Sequence, residues 1–114
     1  MKEYLLLFRG GDARMAELSE AESAEHMQKW GSYMQKLGQS GNLTSGFPLQ
    51  NSGKVMTANG ANDNVIRSEQ GEAVGGYLLI KANDYDHAVK LSAACPIFEH
   101  NGNIEIREIM PMEM

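Results

Sequence analysis

Gly75-Gly76-Tyr77-Leu78-Leu79-Ile80, followed by Asp84 to Ala94, Cys95-Pro96 and Ile104-Glu105-Ile106-Arg107-Glu108-Ile109, is the stretch that decides the fold. The first run reads as a strand opened by a glycine pair. Asn83 or Asp84 caps a helix that carries Ala88, Leu91 and Cys95 on one face, and Pro96 stops it because proline has no N–H to continue the ladder. The last run alternates Ile104 and Ile106 against Glu105 and Arg107, which gives a strand with one apolar and one polar face. The same strand, helix, strand order is readable from Tyr4 to Thr44, so the chain describes two β-α-β halves.

In the first half, Leu5, Leu6, Leu7 and Phe8 put apolar side chains on both faces of a strand, because successive residues point opposite ways. Gly10-Gly11-Asp12 supplies the turn. Ser19 and Glu22 fit a capping box that starts the first helix. Met27, Trp30, Met34 and Leu37 form an apolar stripe toward the sheet, and Gly41 is a left-handed terminator, which makes the helix about 30 Å long. Leu43 to Phe47 begins a second strand, with Gly46 and Pro48 allowing a bend or an edge position. Lys54 to Ala58 and Asn64 to Arg67 are short strand candidates separated by Asn59-Gly60, a type I′ hairpin dipeptide. Gln50 to Glu72 is the least apolar region, where a functional loop would most easily reside.

Two helices on one face of a four- or five-stranded antiparallel sheet make an α+β, ferredoxin-like fold. That arrangement leaves the second sheet face open, although the strands from Tyr4 and Tyr77 are apolar on both sides. A symmetric homodimer, sheet against sheet, buries the patch and places a ligand cleft where helix, sheet and partner meet.

The totals narrow the function. A chain of 114 residues, 42% hydrophobic and 22% charged, suits one domain over residues 1–114. A domain of this size buries roughly 65% of its unfolded surface, which supports one modest core. A net charge of −5 with ten scattered basic residues argues against gripping nucleic acid. The single Cys95 permits no internal disulfide, and the apolar run from Tyr4 to Phe8 is too short for a signal core or membrane span. A cytoplasmic protein is the expectation.

Several matches coincide: Leu37-x-x-x-Gly41-x-Leu43-x-x-Gly46-x-Pro48-Leu49, Val74-Gly75-Gly76-Tyr77-Leu78-Leu79-Ile80, Asp84-x-Asp86-x-Ala88 leading to Cys95-Pro96, and Gly102-x-Ile104-Glu105-Ile106-Arg107. Together they resemble the YCII-related proteins, in particular the branch carrying a DGPF-type loop. The resemblance implies a dimeric α/β-barrel, a cleft between helices and barrel, and small-molecule binding or catalysis. Counted back from Gly75-Gly76, the family's Asp-Gly-Pro-Phe falls on Asn64-Val65-Ile66-Arg67, so the motif is absent, while Glu69 and Glu72 fall on its two glutamates. The replacement reads as a strand. The glutamates are either ligand contacts or a solvated loop.

His26 is the candidate for proton transfer, with Trp30 at i+4 and Tyr33 at i+7 along one flank. The resemblance implies an active-site histidine in this helix paired with an aspartate. His26 stands a few residues out of step with it, the helix holds no aspartate, and Glu22 one turn earlier is the group that would orient the ring. The competing reading is a helical histidine bonded to Glu22 or water. Trp30 and Tyr33 are both candidates to line a flat apolar or aromatic ligand, but Trp30 falls within the core stripe, so Tyr33, with a phenol that can stay wet, is the one expected to line it together with Phe47. Glu105 and Arg107 either recognise a polar ligand in the cleft or pair across an exposed sheet edge.

Cys95, at the negative end of a helix dipole, reads as a packed thiol rather than a nucleophile. His26, His87 and His100 lack metal-ligand spacing, and no metal or cofactor is expected. The Met110-Pro111-Met112-Glu113-Met114 tail reads as flexible or dimer-packing. Gly71-x-x-x-Gly75-Gly76 leads into a strand and so makes no phosphate cradle. Two functions stay open: an enzyme using His26 on a small metabolite, and a dimeric sensing or accessory module without turnover. RNA recognition on the open sheet is disfavoured by the acidic balance and by the scarcity of aromatics on the central strands.

Overall fold

The computed structural model describes residues 1–10, 18–50, 53–62 and 73–112. The elements are β1 (Lys2–Arg9), α1 (Glu20–Gln39), β2 (Leu43–Pro48), β3 (Val55–Thr57), β4 (Gly60–Asn62), β5 (Val74–Ala82), α2 (Tyr85–Ser92), a 3-10 helix (Pro96–His100) and β6 (Asn103–Glu108). A four-stranded antiparallel sheet has the order β2-β5-β1-β6. This is the α+β, ferredoxin-like topology, with β3 and β4 forming a separate hairpin.

Local chemistry sets the helix ends as the sequence predicts. Ser19 accepts the Glu22 N–H at 3.1 Å, and Glu22 accepts the Ser19 N–H at 3.2 Å, completing the capping box. At the other end Gly41 takes φ +79°, the Asn42 N–H bonds the Leu37 carbonyl and the Gly41 N–H bonds the Gly38 carbonyl, a Schellman termination. Asp84 caps α2 by accepting the His87 N–H at 2.8 Å.

Register divides the sheet into two faces. Tyr4, Leu6 and Phe8 stand opposite Ile80, Leu78 and Gly76, and with Tyr33, Leu37, Ala88, Cys95 and Ile97 they form the core beneath the helices. Ile104 and Ile106 pack against it. The intervening residues, Leu5, Leu7, Tyr77 and Leu79, lie half-buried on the face away from the helices. Phe47 pairs with Tyr77 on that face and is 64% exposed.

The hairpin differs from expectation. Its second strand starts at Gly60 rather than Asn64, the connection is Ala58-Asn59, and Asn59 lacks the positive φ that a type I′ turn requires. Gly60, at φ +119°, absorbs the left-handed step within the strand. The strand read at Asn64–Arg67, the loop carrying Glu69 and Glu72, and the Gly11-Asp12 part of the first turn lie outside the described residues.

Candidate functional site

A cavity of about 430 Å³ opens between one flank of α1 and the end of the sheet where β2 finishes and β5 begins. His26, Met27, Trp30, Gly31 and Met34 form its helical side, residues 46–48 and 75–78 its sheet side, and Phe8 and Ile97 contribute as well. The volume falls within the range of about 300–1,000 Å³ typical of small-molecule pockets.

The polar mark in this lining is His26, which is only 7% exposed. Trp30 Nε1–H donates to its Nε2 at 2.8 Å. An indole N–H is only a donor, so Nε2 is the unprotonated nitrogen and the neutral ring carries its proton on Nδ1. The i,i+4 spacing allows this bond, and Trp30 is fixed in turn by edge contacts with Phe8 at 5.4 Å and Tyr33 at 6.1 Å between centroids. Glu22 accepts the Ser19 N–H at Oε1 in the capping box, a bond that uses one of the carboxylate's several lone pairs.

Trp30, expected in the core, is half-buried, packs against the core and also lines the cavity. Tyr33, expected to keep a wet phenol at the ligand, is 6% exposed, lies outside the cavity lining, and donates its hydroxyl to the Leu91 carbonyl at 2.8 Å, tying α1 to α2. Burial drives its ionisation far above the ordinary phenol range. Met27, placed in the core stripe by its spacing, is 63% exposed at the cavity mouth. Phe47 borders the cavity as expected.

Glu105 and Arg107 are not among the residues that line this cavity. They lie on the far face of β6, with Arg107 Nη1 3.2 Å from Glu105 Oε2 and Arg9 Nη2 3.3 Å from Glu105 Oε1. Arg9 escaped the sequence reading because it ends an apolar run, and its contact to Glu105 needs the pairing of β1 with β6. Arg9 Nε and Glu105 Oε1 are buried and make no hydrogen bond among the described residues.

Cys95 is buried, and desolvation pushes its thiol up to about 11 from 9.0. An unfolded thiol ionises from about pH 9 while the folded one stays protonated to about pH 11, so its contribution to stability is complete below pH 9 and falls as pH rises across that window. At pH 8 a thiol reagent such as DTNB is expected to leave Cys95 unmodified in native protein and to label it stoichiometrically in 6 M guanidinium. Rapid native labelling would contradict the packing. No group of three or more His, Cys, Asp or Glu among the described residues is placed to hold a metal ion. No helix among them is long and apolar enough to cross a membrane.

The sequence profile of the YCII-related domain matches residues 4–113. The chain belongs to the YCII-related family. No curated protein matches it. In this YCII-related domain the match spans both halves of the ferredoxin-like sheet, so the cavity beside α1 is framed by elements that all lie within the matched region.

Proposed function

We propose that this YCII-related domain is one cytoplasmic, dimeric α/β-barrel unit that binds a small metabolite in the cavity beside α1, with His26 handling a proton there. The observation that carries the reading is a buried, tautomer-fixed histidine in the wall of a pocket of about 430 Å³ whose lining, among the described residues, is mainly apolar. Phe47 borders the same pocket. Glu69 and Glu72 belong to the reading as ligand contacts from outside the described residues, and the DGPF-type branch belongs to it with Asn64-Val65-Ile66-Arg67 in place of the motif.

The dimer is supported by the far sheet face. Leu5, Leu7, Tyr77 and Leu79 form an apolar patch there, which a second copy would cover. Phe47 and Tyr77 connect that face to the pocket border. The net charge of −5 continues to argue against nucleic acid as a partner.

The test is a thermal-shift screen of metabolites on the wild type, followed by His26→Ala with each compound that binds. An acid or base contributes about 10²–10⁴-fold, so a conversion that falls at least 100-fold in the variant supports catalysis. Binding without turnover is the second reading, favoured by one observation: the Nε2 lone pair is already taken by Trp30. It predicts that no compound is converted and that His26→Ala keeps affinity within about threefold, a change of under 1 kcal/mol. Absence of any stabilising compound would overturn both.

A further inference from the structure

Gly31 lies well inside α1, where glycine is the least favourable residue after proline. It is exposed on the rim of the cavity, and a Cβ built on it meets nothing within 4 Å, so no packing contact requires the glycine. Gly38 is equally uncrowded, but it lies in the final turn, where its carbonyl accepts the Gly41 N–H that ends the helix.

On the sheet side a Cβ on Gly46 would sit 2.3 Å from Leu78 Cδ2 and 2.6 Å from the Tyr77 carbonyl, so the Leu78 side chain covers that glycine, while one on Gly76 would sit 3.3 Å from the Phe47 carbonyl and 3.9 Å from Phe8 Cδ2. Phe47 and Tyr77 border the same side. Phe8 and Trp30 meet edge to face at 88° in the lining. A space lined by aromatic rings favours flat, apolar guests whose faces and edges complement ring quadrupoles.

Resting on the binding role proposed above, we infer that the cavity is a slot for a neutral planar aromatic compound of one or two fused rings, held open by Gly31. The probes are 1-naphthol and its saturated counterpart decahydro-1-naphthol, followed by calorimetry and by the emission of Trp30, the single tryptophan of the chain. Naphthol is expected to bind at least tenfold tighter than the saturated alcohol and to change Trp30 emission saturably. Gly31→Ala is expected to raise the Tm of free protein by about 3–5 °C, the effect of improved helix propensity in a domain of this size. Gly31→Leu is expected to fold and to weaken naphthol at least tenfold.

Equal affinity for the two probes overturns the aromatic slot while leaving the pocket in place. The slot is equally overturned if neither probe binds but a non-aromatic metabolite from the screen does. Naphthol binding that is indifferent to Gly31→Leu overturns the location. Failure of every compound, probes and metabolites alike, removes the underlying binding role itself.

Discussion

Gly46→Val is expected to destabilise the domain by more than about 3 kcal/mol, at the upper end of what overpacking costs and a large fraction of the roughly 5–15 kcal/mol that holds a domain folded. The cause is local and geometric. The Cβ at this position lies 2.6 Å from the Tyr77 carbonyl, a backbone atom of the strand to which β2 is paired. Leu78 Cδ2, at 2.3 Å, can rotate aside, but the carbonyl cannot without opening the ladder. Gly76 is the internal comparison: its Cβ would lie 3.3–3.4 Å from Phe47 and Pro48 backbone atoms, tight but within reach of small adjustments. Urea denaturation should therefore rank the variants Gly46→Val, Gly46→Ala, Gly76→Ala in decreasing damage. A Gly46→Ala variant within about 0.5 kcal/mol of wild type, the range of ordinary surface changes, would mean that β2 can leave β5 and that the pocket wall is not fixed.

Features that depend on neighbours in the chain were legible in the sequence. The capping box of Ser19 and Glu22, the Gly41 terminator, the Asp84 cap and the alternation of Ile104 and Ile106 all involve residues a few positions apart, and all are present. The order of elements then leaves few ways to build an antiparallel sheet, which is why the ferredoxin-like topology followed.

The site was legible only in part. Periodicity reports which flank of a helix is apolar, but not whether sheet, helix or cavity lies against it. Trp30 and Tyr33 are three residues apart, about 60° on the helical wheel. That angle separates a cavity wall from a contact with the Leu91 carbonyl, 58 residues further along the chain. Glu105 likewise could be placed only once β6 was known to pair with β1, bringing Arg9 beside it. Gly31 did offer a sequence cue, a glycine in mid-helix without a turn to make, and its significance emerged only when the space beside it proved empty.

Leu79→Asp is expected to convert the proposed dimer to a folded monomer, weakening self-association at least 100-fold, or about 3 kcal/mol. Leu79 stands on the face away from the helices, between Leu5 on β1 and Ser45 on β2. It is only half-buried in the single chain, so a carboxylate there keeps water on one side and the protomer tolerates it. Sealed against a second copy, the same carboxylate would lose that water, a cost of several kcal/mol that an exposed lysine at the end of the strand offsets only in part. That lysine is Lys81, two residues along β5 on the same face, while Arg9 and Arg107 are already held by Glu105. Sedimentation equilibrium at micromolar concentration should show twice the 12.6 kDa chain mass for wild type and a single chain mass for the variant, with the far-ultraviolet circular dichroism of the two alike. A wild type that sediments as a monomer would remove the dimer, whereas a variant that remains dimeric would move the interface off this face.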